Sequence, residues 1–191
     1  SATPLQAPYG VVFDFEGNIA LLKVSFSTLS WHDAKKAVAD SSVTFCEASL
    51  NARQIWNKYL GTFHIETSDE ALKEKFYSNL YHSIIKPADM TRENVLGVRG
   101  DTVTDFATLW DQYKTTLPLI YLAYPQMSTK IAKALVNISR TLGKIPCSFG
   151  LCDIFPCEEQ AKMLGVLTLC DAYTMGVSGI TLANIEECIQ R

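Results

Sequence analysis

The residues of this 191-residue chain best suited to chemistry are aromatic rings set beside carboxylates: Trp110-Asp111 with Tyr113, Asp105-Phe106, and Asp171 with Tyr173. A sugar binds by laying its apolar face on an aromatic ring while carboxylates accept hydrogen bonds from its hydroxyls. The same spacing equally describes a core tryptophan next to a solvated aspartate, and spacing alone favours that plainer reading. Trp110 and Asp111 are consecutive, so on a helix their side chains diverge by about 100° and can flank one pocket but not stack together. Other chemistries find no footing. There is no Gly-rich phosphate loop, no HExxH, no GxSxG and no CxxC pair. His32, His64 and His82 are scattered, and His82, near Tyr77 and Tyr81, reads as a packed, hydrogen-bonded residue instead of a base. Asn137-Ile138-Ser139 fits a glycosylation acceptor, but it falls in the middle of a helical pattern.

The elements that hold these residues come from a chain rich in core material. Apolar residues make up 48% and charged residues 19%, which excludes intrinsic disorder. Mean hydropathy of +0.07 leans apolar for a free-standing domain of this size. A net charge of −3 and a pI near 5.6 exclude nucleic acid as the main partner, because phosphate binding needs a basic face. No stretch reaches the ~18 apolar residues of a membrane helix, so no membrane association is expected. Ser1 to Pro8 lacks a charged segment followed by an apolar one, so no signal peptide is visible. The six cysteines (Cys46, Cys147, Cys152, Cys157, Cys170, Cys188) are too sparse for a disulfide scaffold and lack zinc spacing. They read as reduced thiols of a cytoplasmic protein with no metal site. The even count leaves disulfides open, and a trimmed amino end would make the protein a secreted one.

Hydrophobic periodicity changes near residue 30. Tyr9–Phe15 and Asn18–Thr28 carry strand-like runs around Gly17-Asn18, a hairpin turn signal, with Ala20, Leu22, Val24 and Phe26 on one parity. A lone hairpin is marginal, so it must join a larger sheet. Helical patterns follow: Trp31–Ala39 capped by Ser30, Thr44–Leu60, a helix opened by Ser68-Asp69-Glu70 and stopped at Pro87, Asp105–Tyr124, Ser128–Gly143, Glu158–Met175 and Thr181–Gln190. Ala88–Val103 and Lys144–Cys157 are the long irregular stretches, and stretches of such length are usually functional or disordered.

Residues 70–125, and more loosely 1–190, resemble glycoside hydrolase family 92, the calcium-dependent exo-acting α-mannosidases. Phe76-Tyr77-Ser78-Asn79-Leu80-Tyr81-His82-Ser83 is similar to the family's "FYTALYHSLL" helix. Thr104-Asp105-Phe106-Ala107-Thr108-Leu109-Trp110-Asp111-Gln112-Tyr113-Lys114 is similar to its "YTxFSLWDTYR", and Leu117-Pro118-Leu119 follows as "HPLL" does. Asp171-Ala172-Tyr173 followed by Gly176 resembles "ADAYxKG". The order and separation of the blocks agree with the family. Two places depart from it: the aspartate-rich "FSDVDG" loop is replaced by Ala88-Asp89-Met90-Thr91-Arg92-Glu93, and Lys114 stands where arginine is usual.

The resemblance implies a mainly α chain with a small β part, a portion of an (α/α)6 toroid preceded by a β-hairpin from a β-sandwich. On that map residues 1–40 end the sandwich, 41–66 form the linker helix and 67–191 begin the toroid. Such a toroid has twelve helices and this chain offers roughly half, so Phe76, Leu80, Leu109, Leu135 and Leu167 would lack partners and the chain would associate. The implied function is part of a glycoside hydrolase resembling inverting α-mannosidases, with an α-mannoside as its carbohydrate and the rest of the parent polypeptide as its partner. Trp110 and Asp111 match the family pair that faces the terminal mannose. The family's acid glutamate and base aspartates lie beyond the region equivalent to Arg191, so no catalytic residue is assigned and the chain alone is expected to be inactive. Calcium belongs to the complete family enzyme and has no assigned ligand here. The alternative is a non-catalytic helical interaction or carbohydrate-binding module.

Overall fold

The computed structural model describes residues 2–4, 11–106, 109–150 and 163–191. Cys152, Cys157 and the expected helix start at Glu158 therefore lie outside the described residues. The chain is mainly α with a small β part. It divides into two compact units, Ser1–Ser42 and Val43–Arg191.

In the first unit, β1 (Ala2–Pro4) pairs antiparallel with β2 (Val11–Phe13), Ala2 opposite Phe13 and Pro4 opposite Val11. This corrects the expected hairpin. Gly17 does adopt a turn conformation at φ +98°, yet residues 18–28 form no strand. The reason is the missing second layer. Ile19, Leu21, Leu22, Val24 and Phe26 are all 68–84% exposed, so neither parity has a face to bury. α1 (Trp31–Asp40) starts as expected at Ser30, whose side chain accepts the Asp33 N–H at 3.1 Å.

In the second unit, α2 (Phe45–Leu60) opens with a complete capping box between Thr44 and Glu47. α3 (Glu70–Ile84) is capped by Asp69 instead of Ser68: the Asp69 carboxylate accepts the Leu72 N–H at 3.0 Å. α2 meets α3 where the Trp56 and Tyr81 rings pack edge-on at 4.4 Å. The irregular stretch after Pro87 proves to be laced at its ends. β3 (Ala88–Asp89) pairs antiparallel with β4 (Val103–Thr104), with a 3-10 turn at Val95–Gly97 between them.

The expected helix Asp105–Tyr124 is broken. Phe106 leaves the helical path to exchange backbone hydrogen bonds with Phe149 at 3.1 and 3.0 Å. α4 (Leu109–Gln112) is a single turn, and α5 (Thr116–Ala123) restarts after it. Pro118 explains the restart. It has no N–H to give Lys114, so it is tolerated in the first turn of a new helix but not inside a continuous one. α6 (Pro125–Leu142) begins at Pro125, three residues earlier than its pattern suggested, and ends at Gly143 in the left-handed region (φ 73°). α7 (Leu164–Thr174) and α8 (Leu182–Gln190) complete the described elements, α8 with a Thr181–Asn184 capping box.

α6 is the centre of the core. Its Ile131, Leu135 and Ile138 are fully buried, and it packs on α5, α7, α8 and β4. Phe106, Leu109, Leu117, Phe149 and Leu169 fill the space around it. The expectation of unpartnered inner faces is corrected for most of its residues. Leu80, Leu109 and Leu135 are buried within the chain and Phe76 is half-buried, while Leu167 remains 46% exposed. α3 packs on α2 and α5, α4 on α7, and α6 on α5, α7 and α8, which supplies these partners.

Candidate functional site

The segment from β4 to α4 is held from both sides. Upstream, Asp105 adopts φ +67°, a left-handed conformation that a non-glycine residue adopts only at a cost, though aspartate tolerates it better than most. Its carboxylate lies 3.8 Å from the Lys86 ammonium. Downstream, the Leu109 N–H donates to the Cys147 carbonyl at 3.3 Å, and the Leu109 side chain is fully buried. With Leu109 pinned inward, helical geometry fixes its successors. Trp110 is half-buried with its ring packed against the core, and Asp111 is exposed.

The Asp111 carboxylate has no hydrogen-bond or ion-pair partner among the described residues; the backbone carbonyl alone is used, accepting from the Thr115 hydroxyl. Lys114, the basic residue three positions on, instead sits 5.3 Å from the centre of the Tyr113 ring. Among the described residues the Asp111 carboxylate is thus not half of an ion pair. Gln112 turns back, its amide donating to the Asp105 carbonyl at 3.4 Å, while its side-chain oxygen is buried with no partner. Sequence reasoning missed this group, and nothing in the residue order marks it.

The other aromatic–carboxylate pairs separate. Phe106 is 1% exposed, so it is core and offers no face to a ligand. On α7, buried Ala172 anchors the turn and leaves Asp171 and Tyr173 exposed. α7 packs against both α4 and α5. Burial, reinforced by the Asp171 charge, pushes the Tyr121 hydroxyl on α5 well above its ordinary range, so it stays protonated. The Tyr121 hydroxyl and the Thr168 hydroxyl on α7 are both buried without partners among the described residues. His82 is exposed, with Nδ1 2.7 Å from the Ser78 carbonyl and its ring against Tyr81, which fits a bonded surface residue and not a base.

The loop that stands where the family has its aspartate-rich segment is closed by charge. Partial burial pushes the Asp89 carboxyl up, but the Lys130 ammonium and two hydrogen bonds from Thr91 outweigh it and hold the group below the ordinary range. Lys133 approaches Asp101 at 3.9 Å, and the Asn137 amide donates to the Asp101 carbonyl at 2.9 Å, so α6 grips both ends of the loop. Among the described residues no three His, Cys, Asp or Glu side chains gather in one place. Nor, among the described residues, is any helix long and apolar enough to cross a membrane.

Residues 33–187 match the glycosyl hydrolase family 92 catalytic domain, covering part of that domain, and the chain belongs to this family. No curated protein matches it significantly. The matched span contains every sequence block that carried the resemblance, from Phe76 to Gly176.

Proposed function

We propose that this chain is a portion of a glycoside hydrolase of the exo-acting, inverting α-mannosidase type, and that Trp110 and Asp111 contribute part of the pocket holding the terminal sugar. The observation that carries this reading is Asp111, exposed and without a partner among the described residues, on a helical turn that burial of Leu109 locks in place. A carboxylate kept free of protein partners is ready to accept hydrogen bonds from a pair of sugar hydroxyls. Trp110, half-buried, is its neighbour in the chain. An inverting glycosidase needs two carboxylates roughly 6.5–9.5 Å apart, one to protonate the leaving oxygen and one to activate water. Neither is assigned to this chain. The parent polypeptide supplies them, so the chain by itself holds sugar without cleaving it.

The domain reading follows the same map: residues 1–40 end a β-sandwich, 41–66 form the linker helix, and 67–191 begin an (α/α)6 toroid. The serial packing of α5, α6, α7 and α8 supports the toroid portion. Calcium, implied for the complete family enzyme, would be held by residues beyond those described. A reducing, cytoplasmic setting belongs to the same proposal, on six cysteines too sparse for a disulfide scaffold. A non-catalytic carbohydrate-binding or helical interaction module is the second reading, favoured by the loop at 88–93, where Asp89 is locked to Lys130. The two part company in one experiment. Expressed with the whole parent reading frame, the protein should hydrolyse α-mannosides; sugar binding with no hydrolysis would establish the second reading.

A further inference from the structure

We propose that the cleft between the end of α2 and the α5–α6 joint is a second carbohydrate-binding site, which seats a neutral pyranose ring on Tyr59. The inference rests on the carbohydrate reading above, but it uses none of the residues of the Trp110–Asp111 position. The cleft encloses about 320 Å³ and is lined by Lys58, Tyr59, Thr62, Tyr124, Pro125 and Gln126 among others. Its floor is a rigid aromatic assembly. The Tyr59 and Tyr124 rings lie 5.8 Å apart, Trp56 backs Tyr59 at 6.4 Å, and Phe63 meets Tyr124 edge-on at 6.3 Å.

The joint is also fixed by hydrogen bonds. The Tyr124 hydroxyl donates to the Tyr59 carbonyl at 3.0 Å, and the Ser128 hydroxyl bonds the Ile120 and Tyr124 carbonyls at the corner between the helices. Tyr59 itself remains 38% exposed, so a platform held from behind keeps part of its surface open. Lys58, the Tyr59 hydroxyl and the Gln126 amide have no partner among the described residues and stand at the rim. Together they offer both donors and acceptors. A pyranose matches this division, with apolar C–H groups for the ring below and hydroxyls for the polar groups around it. Among the described residues no carboxylate lines the cleft, which gives a cationic ligand no counter-charge there. A purely apolar occupant would strand the three rim groups.

The test is an NMR titration of the full 191-residue chain with methyl α-D-mannopyranoside, followed at backbone amides. Shifts are expected at Tyr59, Thr62 and Gln126. Tyr59→Ala should weaken binding there about fivefold to tenfold, the loss of one ring contact. Tyr59→Phe should retain most of the affinity, and Gln126→Ala, at an exposed rim position, should weaken it without changing the melting temperature. Asp111→Asn should leave these shifts intact. Shifts confined to α4 that Asp111→Asn removes and Tyr59→Ala does not would overturn the second site while the glycosidase reading stands. Intact shifts at Tyr59 alongside a parent protein that fails to hydrolyse mannosides would do the reverse. Absence of any shift in the cleft overturns the proposal.

Discussion

Replacing Asp111 with asparagine in the complete parent protein removes one negative charge and almost nothing else. The side chain keeps its length, and among the described residues it has no ion pair and no side-chain hydrogen bond to lose. Stability should therefore move by less than about 0.5 kcal/mol, as for surface changes away from caps and networks. Binding is different. A hydrogen bond to a charged acceptor is worth roughly 1.5–3 kcal/mol, so kcat/KM for an α-mannoside should fall about tenfold to a hundredfold. A drop in both kcat and kcat/KM would mean the contact tightens in the transition state; a rise in KM alone would mean uniform binding. Thermal melting and mannoside kinetics on the same variant give both quantities. If Asp111 instead served the fold, the variant would lose up to ~1 kcal/mol of stability and turn over normally. That outcome would refute the assignment.

Other consequences follow from the same contacts. Arg140 donates to Glu187 at 2.7 Å and Arg191 at 2.9 Å, and these bonds hold the Glu187 carboxyl at about 2, below its ordinary 4.5. A carboxyl depressed in the folded state stabilises above its unfolded pKa, so this contribution should be whole above pH 4.5 and disappear toward pH 2. Melting curves across that window should flatten in Glu187→Gln. Asp89→Asn releases β3 from Lys130; both partners are partly exposed, so screening limits the loss to about 0.5–1 kcal/mol in urea unfolding, again confined to pH above the unfolded carboxylate range. Gly165→Ala drives a methyl to 2.6 Å from Ile145 Cγ1 and 3.2 Å from the Pro146 carbonyl, which should cost about 1–3 kcal/mol by thermal melting.

Much of the fold was legible where the signal is local. Ser30, Thr44 with Glu47, and Thr181 cap their helices because a side-chain oxygen three residues before a free N–H needs no distant partner. Gly143 likewise closes α6 from its own backbone freedom. What failed depended on distant chain. The apolar alternation from Ile19 to Phe26 describes a strand with one buried face, but alternation cannot create the layer that would bury it. The break in Asp105–Tyr124 comes from Phe149, more than forty residues away, claiming Phe106, and Pro118 marked the place without deciding it. The site was half legible. The juxtaposition of Trp110 and Asp111 is plain in the sequence, but which of them faces outward depends on Leu109 being pinned to Cys147. The buried Gln112 oxygen and the left-handed Asp105 leave no trace in residue order.

The central claim, that Trp110 and Asp111 form part of a glycosidase pocket, is tested most directly by a crystal structure of the parent protein with a non-hydrolysable thio-linked mannoside. The Asp111 carboxylate should accept hydrogen bonds from the terminal sugar at about 2.5–3.0 Å, with the Trp110 ring flanking it. A mannoside seated elsewhere, with Asp111 facing solvent alone, would contradict the claim.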